Sequence, residues 1–371
     1  MSEFFENLYI AAASGLEAVV KRELINAGFE PGGAVYGKIP VNGNLRDAAY
    51  LNLSLRTANR VYLCLAKGEA NSFDDVYEQV KKLPFKDFLP RDARITVNAS
   101  SHKSKLYALS ALQRVTKRAI CDTMGGSLSE TGATYSFTLD ISDDVMHLLL
   151  DTSGEALHKR GYRKLVGAAP LSETTAAAML LLTGYKGGVL ADPFAGSGTI
   201  PIEAALMATN TAPGLKRSFA FENFPFFGAD TTRLLREELS HEISSVRPDI
   251  AGYDIDPSAV SMANAHLKAA GLSGKVHFQV RPVSELNSRF RSGHVVTNPP
   301  YGKRLGTGDE LKKLYLELKE AKGRLPGFTF GIISAYPAVE RLLGKADRRR
   351  KLYNAELETT FYSYFPKLKI R

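Results

Sequence analysis

The segment GGVLADPFAGSGTIPIEAALMA, residues 187–208, constrains the fold of this chain more than any other. An apolar strand pattern runs into a turn holding Gly196 and Gly198, and an apolar helix pattern starts directly behind it. Glycine adopts backbone angles closed to other residues, and a helix N-terminus presents unpaired N–H groups, so a strand, a glycine turn and a helix in that order form a place for a ligand. The alternation continues with IAGYDID (250–256), PSAVSMANAHLKAAG (257–271), VHFQV (276–280) and HVVTN (294–298). Strands that alternate with helices predict a parallel, doubly wound α/β sheet over residues 172–371. FTFGIIS, a short helix near 337–343 and the alternating ETTFYSYF would close that sheet with an edge hairpin.

The glycine turn excludes two common ligands. A nucleoside-triphosphate loop needs Lys and then Ser or Thr after its last glycine, and here Thr199 and Ile200 follow Gly198. A dinucleotide fingerprint needs a third glycine where this chain has Pro201, with an acid about twenty residues on. The acid here is Asp254, at the end of the next clear strand, where a carboxylate can accept both hydroxyls of a ribose. Ile255 could lie against an adenine, and Asp256 before Pro257 suits a helix cap as well as it suits a ligand contact. Ser197 sits in A-G-S-G-T, which lacks the G-x-S-x-G pattern of a hydrolase nucleophile.

TNPPYG, residues 297–302, follows the apolar pair Val295 and Val296. It reads either as a proline-rich corner or as a site for an exocyclic amine of a nucleobase. Such an amine is a poor nucleophile, because its lone pair is delocalised into the ring. An Asn298 side-chain oxygen and a Pro299 carbonyl could accept its two N–H bonds and turn the lone pair outward. Pro299 and Pro300 would fix the backbone, and Tyr301 could stack on a base swung out of its helix.

The N-terminal half alternates differently. NLYIAAA (7–13) reads as a strand, and SGLEAVVKRELINAG as a helix opened by a capping box from Ser14 to Glu17. A second helix and the strand VYLCLA complete a small α+β unit, residues 1–66. Residues 67–155 form another, with a helix start at Ser72, a helix carrying Arg114, Lys117 and Arg118 opposite its apolar face, and a hairpin turning at Ser142, Asp143 and Asp144. DTSGEALHKRGYRK leads into a basic connector, residues 156–171, with Arg160, Arg163 and Lys164. Cys64 and Cys121 lack metal-like spacing and fit buried free thiols. With 48 Lys and Arg against 39 Asp and Glu, the net charge of +9 favours a polyanionic partner. No run approaches a membrane span, and acids where a signal peptide needs basic residues point to a cytoplasmic protein.

DPFAGSGT, GYDID and TNPPYGKRLG resemble the cofactor-loop, ribose-acid and target-amine motifs of class I S-adenosylmethionine-dependent methyltransferases acting on base amines. DTSGEALHKRGYRK, APLSETTAAAML, TAPGLKRSFAFENF and RKLYN extend the resemblance to the THUMP-containing RNA methylases, and among these to the large-subunit ribosomal RNA N2-guanine methyltransferases. The resemblance implies a ferredoxin-like domain, a THUMP domain and a Rossmann-like methyltransferase domain. S-adenosylmethionine would lie against Thr174, Asp192, Phe194, Ala195, Gly196, Ser197, Gly198 and Thr199, with Asp254, Ile255 and Asp256 at its nucleoside end. Asn298, Pro299, Pro300 and Tyr301 would be the catalytic loop. Structured RNA, ribosomal first and transfer RNA second, would meet Arg114, Lys117, Arg118, Arg160, Arg163, Lys164, Lys303 and Arg304; no metal and no membrane is implied. Where the family has an acid after the third strand for the adenine amine, this chain has Pro282 within QVRPVSEL, so that Ser284 or Glu285 substitutes or affinity falls. The same motifs leave open N6-adenine methylation of RNA or DNA, and an inactive RNA-binding assembly factor.

Overall fold

A computed structural model of the chain describes residues 5–126, 128–163, 171–301, 308–354 and 357–367. The chain divides into two units, the first taking in the residues up to Ala12, Val20–Leu157 and Arg217–Glu238. Its elements run β1 (Asn7–Ala12), α1 (Glu17–Asn26), β2 (Lys38–Asn42), α2 (Leu45–Ser54), β3 (Ala58–Glu69), α3 (Phe73–Lys81), α4 (Phe85–Phe88), β4 (Arg94–His102), α5 (Leu109–Thr123), β5 (Thr134–Ser142) and β6 (Val145–Asp151). They make one six-stranded sheet in the order β2-β1-β3-β6-β5-β4. The long β3 joins what the sequence presents as two modules, since Leu63 stands opposite Leu8 of β1 and Leu150 of β6. Asp143 and Asp144 turn the β5–β6 hairpin with φ of 50° and 60°, the left-handed pair that a two-residue hairpin turn demands. Ser72 caps α3 as expected, in a capping box with Asp75. Ser14 does not cap α1. The helix starts at Glu17, which puts the cap position at Leu16, and Ser14 lies ahead of it in a turn completed by Gly15 at φ 85°.

Residues 217–238 join this first unit through aromatic packing. Phe224 stacks on Tyr135 at 4.3 Å and Phe226 on Phe5 at 5.0 Å, while Arg217 donates to the carbonyls of Ser153, Glu155 and Ala156.

The second unit holds Ala13–Val19, His158–Lys216 and the chain from Leu239 onward. Its elements are α6 (Glu173–Leu182), β7 (Leu190–Asp192), α7 (Thr199–Ala208), the end of α8 (Ala229–His241), β8 (Ile250–Asp254), α9 (Pro257–Ala269), β9 (His277–Val280), β10 (Gly293–Thr297), α10 (Gly308–Arg324), β11 (Phe328–Ser334), α11 (Val339–Leu343), β12 (Arg348–Asn354) and β13 (Leu357–Tyr364). The sheet runs β12-β13-β11-β10-β7-β8-β9, parallel from β11 to β9 and closed by the antiparallel β12–β13 hairpin. Successive strand residues face opposite layers. Val296 joins Leu190, Ile333 and the residues of α6, α7 and α9, whereas Val295 joins Phe330, Ile332 and the residues of α10 and α11. Strand order reverses between β7 and β10, and ligands of open α/β sheets settle at the carboxyl ends of strands at such a point. The connection from β9 to β10 carries only a three-residue 3-10 turn, Val283–Glu285.

Candidate active site

β7 ends at Asp192, and the turn that follows closes on Gly198, which precedes α7 with φ 86°. A side chain could not replace that hydrogen, since a Cβ would stand 2.9 Å from Phe278 Cζ and 3.0 Å from Ala263 Cβ. The turn is tied to β8 by two backbone donors. Ala195 N–H reaches the Tyr253 carbonyl at 2.8 Å, and Gly196 N–H reaches Asp254 Oδ2 at 2.8 Å. Asp254 Oδ1 accepts from Asp256 N–H at 3.0 Å. Each carboxylate oxygen has about two acceptor sites, so both keep one for a further donor. Asp256 caps α9 by accepting from Ser258 N–H at 2.8 Å and also lines the cavity.

These groups wall a cavity of about 490 Å³, within the range of small-molecule sites. Asp192, Phe194, Ala195, Gly196, Ser197 and Thr199 form one wall. Ile255, 72% exposed, adds an apolar face to the cavity. Gly198 is directed away toward Phe278.

Asn298 and Pro300 complete the cavity at the end of β10. Thr297 Oγ1 donates to Asp192 Oδ1 at 2.6 Å, which also accepts from Phe194 N–H at 3.1 Å. Burial pushes the Asp192 carboxyl up to about 7, the Asp254 charge adding to the shift while the Thr297 and Phe194 donors oppose it. Beside this pair, the Asn298 Oδ1 is buried and has no hydrogen-bond partner among the described residues. A buried carbonyl oxygen without a donor costs about 1–3 kcal/mol, which an arriving N–H recovers.

Other expected positions fall elsewhere. Pro299 is buried, and Tyr301 is only 5% exposed, its hydroxyl accepting from Asn354 Nδ2 at 2.9 Å, so the ring does not present the open stacking face expected of it. Thr174 is buried against Ser172 at 3.3 Å, and Leu171 lines the cavity on that side. Ser284 is exposed and off the cavity wall. Arg160 and Arg163, expected to meet RNA, are instead turned into the domain. Arg160 is 3% exposed and pairs with the buried Glu203 at 3.4 Å, and Arg163 spans Glu173, the Leu171 carbonyl and the Thr199 hydroxyl. Their charges are consumed inside the domain, so neither offers RNA a free guanidinium. On α5, Arg114 is exposed, Lys117 pairs with Glu130 at 2.6 Å and Arg118 with Asp122 at 3.5 Å. Lys164, Lys303 and Arg304 lie outside the described residues. Met262, Leu314 and Glu317 line the cavity without any motif to announce them, because sheet order rather than sequence spacing brings them there. Among the described residues no group of acids, His and Cys could hold a metal, and no helix is long and apolar enough to cross a membrane.

A parallel sheet with a reversed final hairpin, a small-molecule cavity at its switch point and an Asn-Pro-Pro-Tyr loop beside it define a class I methyltransferase domain. The chain belongs to the RMKL-like methyltransferase family: that domain matches residues 160–362, the RlmL ferredoxin-like domain residues 7–62 and the THUMP domain residues 70–151. It is 34% identical to the putative RNA methyltransferase YpsC of Bacillus subtilis, over 98% of this chain and 96% of that protein. It is 33% identical, over 94% of its length, to the ribosomal RNA large subunit methyltransferase K/L of Cellvibrio japonicus, of which it spans 50%. Among solved structures, SMU.472, a putative methyltransferase complexed with SAH, superposes with a TM-score of 0.89 at 32% identity, over 98% of both chains. S-adenosylmethionine is the cofactor, and the residues fit it: an acceptor on each Asp254 oxygen for a ribose diol, an apolar Ile255 face for a purine, and backbone approach at Gly196.

Proposed function

We propose that this protein transfers a methyl group to the N2 amine of a guanine in large-subunit ribosomal RNA. The observation that carries the reading is the buried Asn298 Oδ1 at the cavity, without a hydrogen-bond partner among the described residues. Bound in the cavity, S-adenosylmethionine supplies an electrophilic methyl on a sulfonium. Asn298 Oδ1 accepts one N–H of the target amine, and the Pro299 carbonyl is assigned the other. Held this way, the nitrogen presents its lone pair to the cavity, and positioning supplies most of the rate. Thr297 keeps Asn298 in place through its bond to Asp192. The guanine must leave its stack to reach this loop.

The THUMP match, the net charge of +9 and relatives named for ribosomal RNA support RNA as the substrate. Guanine rests on the resemblance of the whole chain to N2-guanine methyltransferases. Digestion of methylated ribosomal RNA to nucleosides and mass spectrometry tests the base, with N2-methylguanosine expected and N6-methyladenosine overturning the choice. Asn298→Ala should lower turnover by about 10²–10³ while cofactor binding persists, the loss typical of one preorganised polar contact; near-normal turnover overturns the mechanism.

A further inference from the structure

The cavity must offer adenine an acceptor. A purine amine taken out of water without one costs about 1–3 kcal/mol, enough to erase preference for adenine over other purines. The connection after β9, where an acid would serve, presents Pro282 and Val283 to the cavity, and neither has an acceptor side chain. Neither of the two substitutes suggested by sequence lines the cavity. Glu285 pairs with Arg281 at 3.5 Å, and the Ser284 carbonyl accepts from Arg324 at 2.7 Å while its side chain lies off the wall.

The open position is filled from a different element. Leu311, Tyr315 and Leu318 anchor α10 in the core beneath the sheet. That packing sets α10 against the Val283–Glu285 turn and presents Leu314 and Glu317, one turn apart, to the cavity that Pro282, Val283 and Ile255 also line. Glu317 is half-buried, and its carboxylate has no ion pair or hydrogen bond with any described residue. We infer that Glu317 accepts the hydrogen bond from the adenine amine of the cofactor, supplying from α10 the acceptor that Pro282 cannot. The inference rests on the cofactor reading of this cavity, and it makes Glu317 the residue that distinguishes adenine from other purines.

Titration calorimetry on the full chain without RNA tests it, using S-adenosylhomocysteine and its inosyl analogue, in which a carbonyl replaces the amine. The wild-type protein should bind the adenosyl compound about 10–100-fold more tightly, the range for a hydrogen bond to a charged group. In Glu317→Gln and Glu317→Ala the adenosyl compound should weaken about 10-fold and the discrimination should fall below about 3-fold, with thermal midpoints unchanged. No binding by the wild-type protein would instead overturn the cofactor reading. Binding and discrimination intact in both variants overturns the assignment of Glu317 alone.

Discussion

Asp192 joins the glycine turn after β7 to the Asn-Pro-Pro-Tyr loop after β10, because one oxygen accepts both the Phe194 N–H and the Thr297 hydroxyl. Burial holds its proton to about 7 against an ordinary 3.8, so between those values the folded chain keeps a proton that the unfolded chain has lost. Stability from this group is therefore greatest at low pH and drains away as pH rises toward 7. In Asp192→Asn the Thr297 donor keeps an acceptor and the titration disappears. Relative to wild type, the ligand-free variant should gain about 1.4 kcal/mol per pH unit across this window. Urea unfolding from pH 4.5 to 7.5 measures the difference, and parallel pH profiles for the two proteins would refute it. The places of Asn298, Asp254 and Gly196 on one cavity were legible in sequence because each belongs to a local motif whose geometry is set within a few residues. Glu317 was not, since its place at the cavity depends on how α10 packs.

At the scale of elements, α7 is buried on every side, with Ile200, Ile202, Ala204 and Leu206 in the core. Glu203 sits among them at 0% exposure, met by Arg160 at 3.4 Å and by the Tyr162 hydroxyl at 3.3 Å. A basic stretch flanked by glycines reads as a solvent-facing strip because its acidic partner lies 43 residues away, and charge spacing alone carries no sign of it. The pairing ties the connector to the helix that follows the glycine turn. Arg160→Met should cost about 3–5 kcal/mol by stranding the Glu203 charge, and Arg160→Met with Glu203→Leu should recover much of that loss. Urea denaturation of the single and double variants measures both. RNA affinity of the folded Arg160→Met protein should match wild type; a specific loss would restore Arg160 to the RNA-binding surface.

Across the whole molecule, alternation of strands and helices predicted the doubly wound sheet, but no local pattern announced that β3 would serve two modules in one sheet. Nor did sequence order show that residues 217–238, inside the span read as methyltransferase, belong to the first unit, where Phe224 and Phe226 bury themselves against Tyr135 and Phe5. Net charge suffers from the same blindness, since +9 counts Arg160 and Arg163 although both are spent internally. What remains for RNA must come from exposed residues, of which Arg114 and Arg118 share the outer face of α5. Each phosphate contact releases counterions, lowering the slope of log affinity against log salt by about 0.7–0.9. Arg118 divides its charge with Asp122 at 3.5 Å, so its share is smaller than that of Arg114. Arg114→Ala with Arg118→Ala should therefore make the negative slope shallower by about 1–1.5, weaken RNA binding without regard to sequence and leave S-adenosylhomocysteine affinity unchanged. Filter binding of ribosomal RNA fragments between 50 and 300 mM salt, concentrations of about that range being where counterion release dominates, reads the slope; an unaltered slope means that RNA approaches by another face.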